Sequence, residues 1–250
     1  MIIGILHKGS GLGDQLFSYI ATRVRAADLG VDFGFVGKAF FKGVDFMKLD
    51  WGKDVDLKYH VEYPAGKVVI DDEHKLYVLD KPYYDPEFNF IEDGTVIDGY
   101  GAQDERYWNG WSIRSWLEVK PLEMSDNVCV INFRGGEFVT VPQLFLSKSY
   151  WDAAIAKMRE EYLDIEFEVH TDDPVLAKQF FSDFECIKDI GLNWRSVRYA
   201  KHLILSNSAF GIIPALIGEA KEVIAPRYWA RRNTQEWSLP SNYYSKFTYI

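Results

Sequence analysis

Short apolar runs and one-sided apolar stripes alternate along this chain. Residues 2–6 are continuously apolar and lead into Gly9-Ser10-Gly11-Leu12-Gly13, the pattern of a buried strand feeding a flexible turn. From about Asp14 to Leu29, Leu16, Phe17, Ile20, Val24 and Ala27 recur at helical spacing, and Gly30 supplies a stop. Residues 31–36 predict the next strand. Strand, glycine turn, helix and strand open an α/β domain.

Between residues 38 and 92 the periodicity fades, apart from strand-like stretches at 68–70 and 76–79. Order returns at 96–100, and a Trp-rich helix is expected over roughly 103–117. Pro121 and the polar residues 123–127 read as a linker, after which the alternation restarts. A strand is expected at 128–133. A helix follows at 148–162, with Trp151, Ala154, Ile155, Met158 and Tyr162 on one stripe. The next strand, 165–169, ends at Thr171-Asp172-Asp173. Pro174 then suits the first turn of a helix, with Asp173 placed to cap it. A further helix from Trp194 leads to an apolar run at 203–205, then Ser206-Asn207-Ser208 and an apolar helix. Residues 222–225 form the last clear strand. The expectation is two successive α/β domains, 1–121 and 122–250, with the last segment free to pack back on the first.

Composition narrows the partners. Of 250 residues, 48% are apolar, which excludes a disordered or fibrous chain. The aromatic share, 16%, suits either core filling or flat surfaces for sugar rings. A formal charge of −9 is the wrong field for a nucleic-acid backbone. Arg227, Arg231 and Arg232 form one basic spot, or else a solvated loop. Cys129 and Cys186 show neither metal spacing nor a disulfide framework and are expected to be reduced core residues of a cytosolic protein. No secretory leader is evident at the start, and no apolar run approaches the ~20 residues that cross a bilayer, so any membrane link is expected to be peripheral. No two of the five histidines stand at ligand spacing, and no Gly-x-Ser-x-Gly elbow is present.

Open α/β sheets bind ligands beyond the carboxyl ends of their strands, so the polar residues there carry the functional signal. Three such ends stand out in the second half. In Asn132-Phe133-Arg134-Gly135-Gly136-Glu137, an arginine fork suits two phosphate oxygens and adjacent glycines allow close backbone approach. The same residues also describe an Arg–Glu pair in an ordinary turn. Asp172 is suited to two N–H donors on guanine or to ribose hydroxyls, while Asp173 is a helix cap or a second ligand. Ser206-Asn207-Ser208-Ala209-Phe210 opens a helix whose free N–H groups attract an anion, with Ser208 as cap, ligand or both. The Gly9–Asp14 turn departs from a dinucleotide fingerprint, because Asp14 stands where its last glycine belongs.

Taken together, these segments resemble the α-1,2-fucosyltransferases and the wider GDP-fucose-dependent superfamily. Gly11-Leu12-Gly13-Asp14-Gln15-Leu16-Phe17-Ser18-Tyr19 resembles that family's Gly-Leu-Gly-Asn-Gln-Leu/Met-Phe-x-Tyr. Asp98-Gly99-Tyr100, with Gln103 and Tyr107-Trp108, resembles its Gly-Tyr-x-Gln-x-x-x-Tyr-Phe. Asn132 to Phe138 lies where it has His-x-Arg-Arg-Gly-Asp-Tyr. Ser149-Tyr150-Trp151 and Thr171-Asp172-Asp173 follow in order. His202 with Ser206 to Phe210 resembles His-x-Ile-x-x-Asn-Ser-Thr-Phe, and Ile224-Ala225-Pro226 with Trp229 fits its ending.

The resemblance implies a divergent, short member with the GT-B fold, two Rossmann-like α/β/α domains facing across a cleft. It implies fucose transfer from GDP-fucose to a glycan hydroxyl, with inversion and without a metal or other cofactor. Asn132, Arg134, Gly135, Gly136, Asp172, Asp173, Asn207, Ser208, Ala209 and Phe210 are then expected to bind the donor. Arg134 stabilises the departing GDP and Glu137 is the candidate base, or else orients Arg134. Gly11, Gly13, Asp14 and Gln15 are expected to face the sugar or acceptor. This chain differs from the pattern at Asn132 (His), Gly135 (second Arg), Glu137 (Asp), Asp14 (Asn) and Gly211-Ile212-Ile213 (Ser-Trp-Trp). Those differences leave room for another nucleotide sugar, or for a homologue that binds GDP-sugar without efficient catalysis.

Overall fold

The structure is a computed structural model, and it describes residues 1–62, 67–80, 84–99, 101–108, 111–142, 144–227 and 244–250. It divides into two compact units, one of residues 1–44 and 48–118, the other of residues 45–47 and 119–250.

In the first unit, strand β1 (Ile2–Ile5) leads into helix α1 (Leu12–Leu29) and strand β2 (Phe33–Val36). Gly30 ends α1 in the left-handed region, φ 65°, and its N–H reaches the carbonyls of Ala26 and Ala27. Gly4 lets α1 lie close on β1: a Cβ there would stand 2.5 Å from Thr22 Oγ1 and 2.4 Å from the Phe35 ring. The weakly periodic stretch contains an antiparallel hairpin, β3 (Tyr59–Glu62) with β4 (Lys67–Ile70), and strand β5 (Lys75–Leu79). Strand β6 (Thr95–Gly99) completes a parallel sheet of order β2-β1-β6-β5.

The expected Trp-rich helix is not there. Its described residues form two 3-10 turns, Glu105–Tyr107 and Ile113–Trp116. Asp104 caps the first by accepting the Arg106 N–H, and the aromatics pack one by one rather than along a stripe. Trp108 stacks on Phe17 with ring centroids 5.6 Å apart, while the Trp111 indole donates to Asp28 at 2.9 Å.

The second unit follows a stricter α/β alternation. Its elements are β7 (Val128–Phe133), α2 (Lys148–Glu161), β8 (Glu166–Thr171), α3 (Pro174–Phe180), β9 (Glu185–Ile187), α4 (Ile190–Tyr199), β10 (His202–Leu205), α5 (Ala209–Ile217), β11 (Glu222–Ala225) and β12 (Thr248–Tyr249). All six strands run parallel in the order β9-β8-β7-β10-β11-β12, so the last segment described extends this sheet. Every residue of β7 is buried, as its unbroken apolar run predicts for a strand covered on both faces. Helix α4 begins before Trp194 because Asp189 caps it, accepting the Leu192 N–H at 2.6 Å.

The abundant aromatics mostly fill cores. Phe133 packs against Trp151, Phe180 and Phe181 at 5.3, 5.3 and 5.5 Å, and Trp151, Trp194, Tyr19 and Phe17 are wholly buried. Each such side chain stabilises the fold by roughly 1.5–3 kcal/mol relative to exposure. Cys129 belongs to this core, and burial pushes its thiol up. Cys186, at the sheet edge, is only half-buried, contrary to expectation.

Candidate functional site

Strands β8, β7 and β10 are neighbours, so the three polar strand ends singled out in the sequence lie side by side in the second unit. Arg134 follows the last residue of β7. Its Nη1 donates to Asp172 Oδ2 at 2.5 Å and its Nη2 to Glu137 Oε1 at 2.9 Å, with the guanidinium over the Phe138 ring. Its Nε is buried and has no hydrogen-bond partner among the described residues. The backbone N–H of Gly135 donates to Asp172 Oδ1 at 2.8 Å.

The glycines make this clamp possible. Gly136 has φ 43°, and a Cβ there would lie 2.4 Å from Asp172 Oδ2. A Cβ on Gly135 would press on Asp173 and Leu176 at 2.9 and 3.0 Å. Gly135, where the family pattern has a second arginine, thus lets the chain close around Asp172.

Asp172, expected to bind the nucleoside, accepts from Arg134 Nη1 on one oxygen and from the Gly135 N–H on the other. Glu137, the candidate base or else the residue that orients Arg134, pairs with Arg134 while its side chain stays 74% exposed. Asp173 caps α3, accepting the Leu176 N–H at 3.0 Å.

The third strand end is tied to the first. Asn132 accepts the Ser206 N–H on its carbonyl at 2.9 Å and the Ser206 hydroxyl on Oδ1 at 3.3 Å. Asn207 Nδ2 donates to the Leu144 carbonyl at 2.8 Å, and the Tyr150 hydroxyl to that of Leu205 at 2.6 Å. Burial raises the Tyr150 phenol well above its ordinary value, so it remains a donor. Ser208 caps α5, its Oγ accepting from Phe210 N at 3.4 Å, and Ala209 and Phe210 form the first turn. Two departures from the family pattern meet here: a Cβ on Gly211 would stand 2.7 Å from Asn132 Oδ1. The carboxamide occupies the room a larger residue at 211 would need.

In the first unit, Gly11 is the residue before α1, with Gly13 and Asp14 in its first turn. Gln15 is the fourth residue expected to face the sugar or acceptor. It is buried, its Nε2 donating to the Phe40 carbonyl at 2.8 Å and its Oε1 accepting the Lys42 N–H at 2.9 Å. It joins α1 to the loop after β2.

The same unit holds a pair the sequence reasoning missed. His7 Nε2 and Asp98 Oδ1 lie 2.5 Å apart, at the carboxyl ends of the central strands β1 and β6. Ninety-one residues separate them. The only sequence signal was a carboxylate at the end of an otherwise apolar strand, with a histidine just after another.

Among the described residues no group of His, Cys, Asp and Glu is arranged to hold a metal ion, and no helix is long and apolar enough to cross a membrane. Tyr100, Trp229, Arg231 and Arg232 lie outside the described residues.

No protein-family model and no curated protein matches the chain. Crystal structures that resemble it include two fucosyltransferase structures. One is NodZ α-1,6-fucosyltransferase soaked with GDP-fucose, 14% identical, with 87% of this chain and 92% of that one covered and a TM-score of 0.49. The other is fucosyltransferase NodZ from Bradyrhizobium, also 14% identical, covering 87% and 91% with a TM-score of 0.47.

Proposed function

We propose that the chain is a glycosyltransferase that moves fucose from GDP-fucose to a glycan hydroxyl, inverting the anomeric carbon without a metal. The observation that carries this is Arg134, held at a strand tip by Asp172 with a buried Nε–H that lacks an acceptor. A phosphate oxygen approaching the Nε–Nη2 edge satisfies that N–H and displaces Glu137 from Nη2, giving the bidentate contact for which guanidinium is suited. The Ser208 turn, anchored to the same strand tip through Asn132, offers the N–H groups and positive end of α5 to the second phosphate. The five ordered family motifs support guanosine and fucose as the rest of the donor.

In this reaction negative charge grows on GDP as the bond from the sugar's first carbon breaks. A preset cation stabilises that charge more than it stabilises the ground state. The sugar carbon passes through an oxocarbenium-like state. Glu137 orients Arg134 rather than taking the acceptor's proton, since its oxygen already accepts from that guanidinium.

A second reading has its own observation: with two carboxylates on one guanidinium and Gly135 replacing an arginine, the pocket binds a GDP-sugar but turns it over poorly. Thermal shift with GDP-fucose, GDP-mannose and UDP-sugars chooses the donor, because ligand at ~100 times its Kd adds about 2.7 kcal/mol. Arg134→Ala is expected to lose on the order of 10²–10³ in transfer rate. Wild-type transfer by that variant, or no shift with any GDP-sugar, removes the proposal. GDP binding without transfer favours the second reading.

A further inference from the structure

His170 lies on β8, two residues before Asp172, and is almost wholly buried. Its tautomer is set by its neighbour. Asn193 Nδ2 donates to the Thr171 carbonyl at 3.1 Å, which leaves Asn193 Oδ1 to face the ring's Nδ1 at 3.0 Å. An amide oxygen only accepts, so Nδ1 carries the proton and Nε2 keeps a lone pair. That Nε2 is buried and has no hydrogen-bond partner among the described residues. Glu168 Oε2 stands 3.5 Å from it and is also an acceptor. Two acceptors turned toward each other are short of one proton. The Glu168 side chain is 35% exposed and gives that proton a way in from solvent.

The charges acting on the ring are Glu168 on its own strand and Glu185, which pairs with Glu168 on β9. Level with His170, β9 places Ile187 and β7 places Asn132. Helix α4 presents Asn193, while its arginines are engaged elsewhere. Arg195 donates to the Gly191 carbonyl, and Arg198 lies over the Trp194 and Tyr199 rings. Burial outweighs the two carboxylates and holds the ring's proton affinity below its ordinary value. Both arms of the donor site start beside this ring. Asn132, its neighbour in register, accepts from Ser206 at the approach to α5, and Asp172 holds Arg134. Strand geometry puts these backbone positions only about 5–7 Å from that of His170.

We propose that Glu168 and His170 form a proton-linked sensor of the donor site, taking up one proton from solvent when a nucleoside diphosphate-sugar binds; this rests on the donor site proposed above. The proton goes to Nε2, which then donates to Glu168, while Nδ1–H keeps its bond to Asn193. The tie to the Thr171 carbonyl survives, and what changes is charge: a neutral ring becomes a cation beside the strand ends that hold the phosphates. The linkage is reciprocal. A charged ring tightens the anion, and the anion raises the ring's affinity for its proton.

GDP-fucose and GDP-mannose are the probes, because a diphosphate diester lacks the terminal phosphate that would itself titrate near pH 6. Calorimetric titrations run from about pH 8 to about pH 5.5, in two buffers of different ionisation enthalpy, with thermal melting of each protein alongside. Wild type is expected to bind roughly 3–10-fold more tightly at the acid end and to take up a fraction of a proton on binding. His170→Gln removes both effects and binds like wild type at pH 8. Glu168→Gln gives the neutral ring an amide donor, so its uptake moves to lower pH; this variant carries the test should His170→Gln fail to fold. Equal pH dependence and proton uptake in wild type and the folded variants would overturn the sensor while leaving the donor site standing. If wild type binds neither nucleotide sugar at any pH, the donor site fails and this inference falls with it.

Discussion

Arg134 Nη1 donates to Asp172 Oδ2 at 2.5 Å across adjacent parallel strands, and the Gly135 N–H fixes the same carboxylate's other oxygen at 2.8 Å. Asp172 thus sets the direction of the guanidinium. Asp172→Asn keeps the shape but places an amide N–H against Nη1. Hydrogen bonds to charged groups are worth about 1.5–3 kcal/mol, which corresponds to roughly 10–100-fold in kcat/KM. Steady-state kinetics and GDP titration check this. An unchanged kcat/KM would show that the clamp does not position Arg134.

Glu137 competes with an incoming phosphate for Nη2, because its Oε1 already accepts from that nitrogen. Glu137→Gln is expected to tighten GDP binding several-fold at low ionic strength, with the gain shrinking as salt screens the exposed charge. A true base at this position predicts the opposite signature: binding unchanged and transfer down about 10²–10⁴-fold. Calorimetric titration at two salt concentrations, beside the transfer rate, separates the two roles.

Gly136→Ala attacks the clamp through the backbone. The φ of 43° alone costs about 1–2 kcal/mol for a residue with a Cβ, and that Cβ must also displace Asp172 Oδ2 from 2.4 Å. Gly94→Ala is the control, since φ is 81° there with nothing within 4 Å of the added atom. Both variants are expected to lower the urea midpoint, but only Gly136→Ala should weaken GDP binding. Equal GDP affinity in the two would detach Gly136 from the site.

Local signals carried much of this architecture. The apolar face of α1, its Gly30 stop, the buried run of β7 and the Asp173–Pro174 start of α3 are each written within a few neighbouring residues. The Trp-rich segment failed because aromatic density imitated a helical stripe. There Asp104 caps only a short turn and each ring finds a separate partner. Strand ends pointed to Arg134, Asp172 and Ser208, but not to which of them pair. Asp172 meets Arg134 over 38 residues and Asp98 meets His7 over 91, distances at which only strand order decides the neighbours. Gln15 shows the same limit: the loop after β2 folds over it and takes both ends of its amide, through partners 25 and 27 residues away.

His170 makes the second unit sensitive to acid. It is buried on β8, its Nδ1 3.0 Å from Asn193 Oδ1, and Asn193 Nδ2 donates in turn to the Thr171 carbonyl beside Asp172. Burial lowers the imidazole below its ordinary value, outweighing the opposite pull of Asn193, Glu168 and Glu185. An unfolded chain takes up this proton near pH 6.5, whereas the folded chain resists it until lower pH. Below about 6.5 the unfolded state therefore binds more protons, and stability falls as pH falls until the folded ring also titrates. His202, likewise lowered by burial, adds the same trend. Replacing His170 with Gln is expected to reduce the melting temperature at pH 7 but to flatten its decline toward pH 5. Subtracting the two curves leaves His202 and the carboxylates out, since both proteins share them. A difference that does not change with pH would mean that the ring contributes packing and hydrogen bonds but no proton linkage.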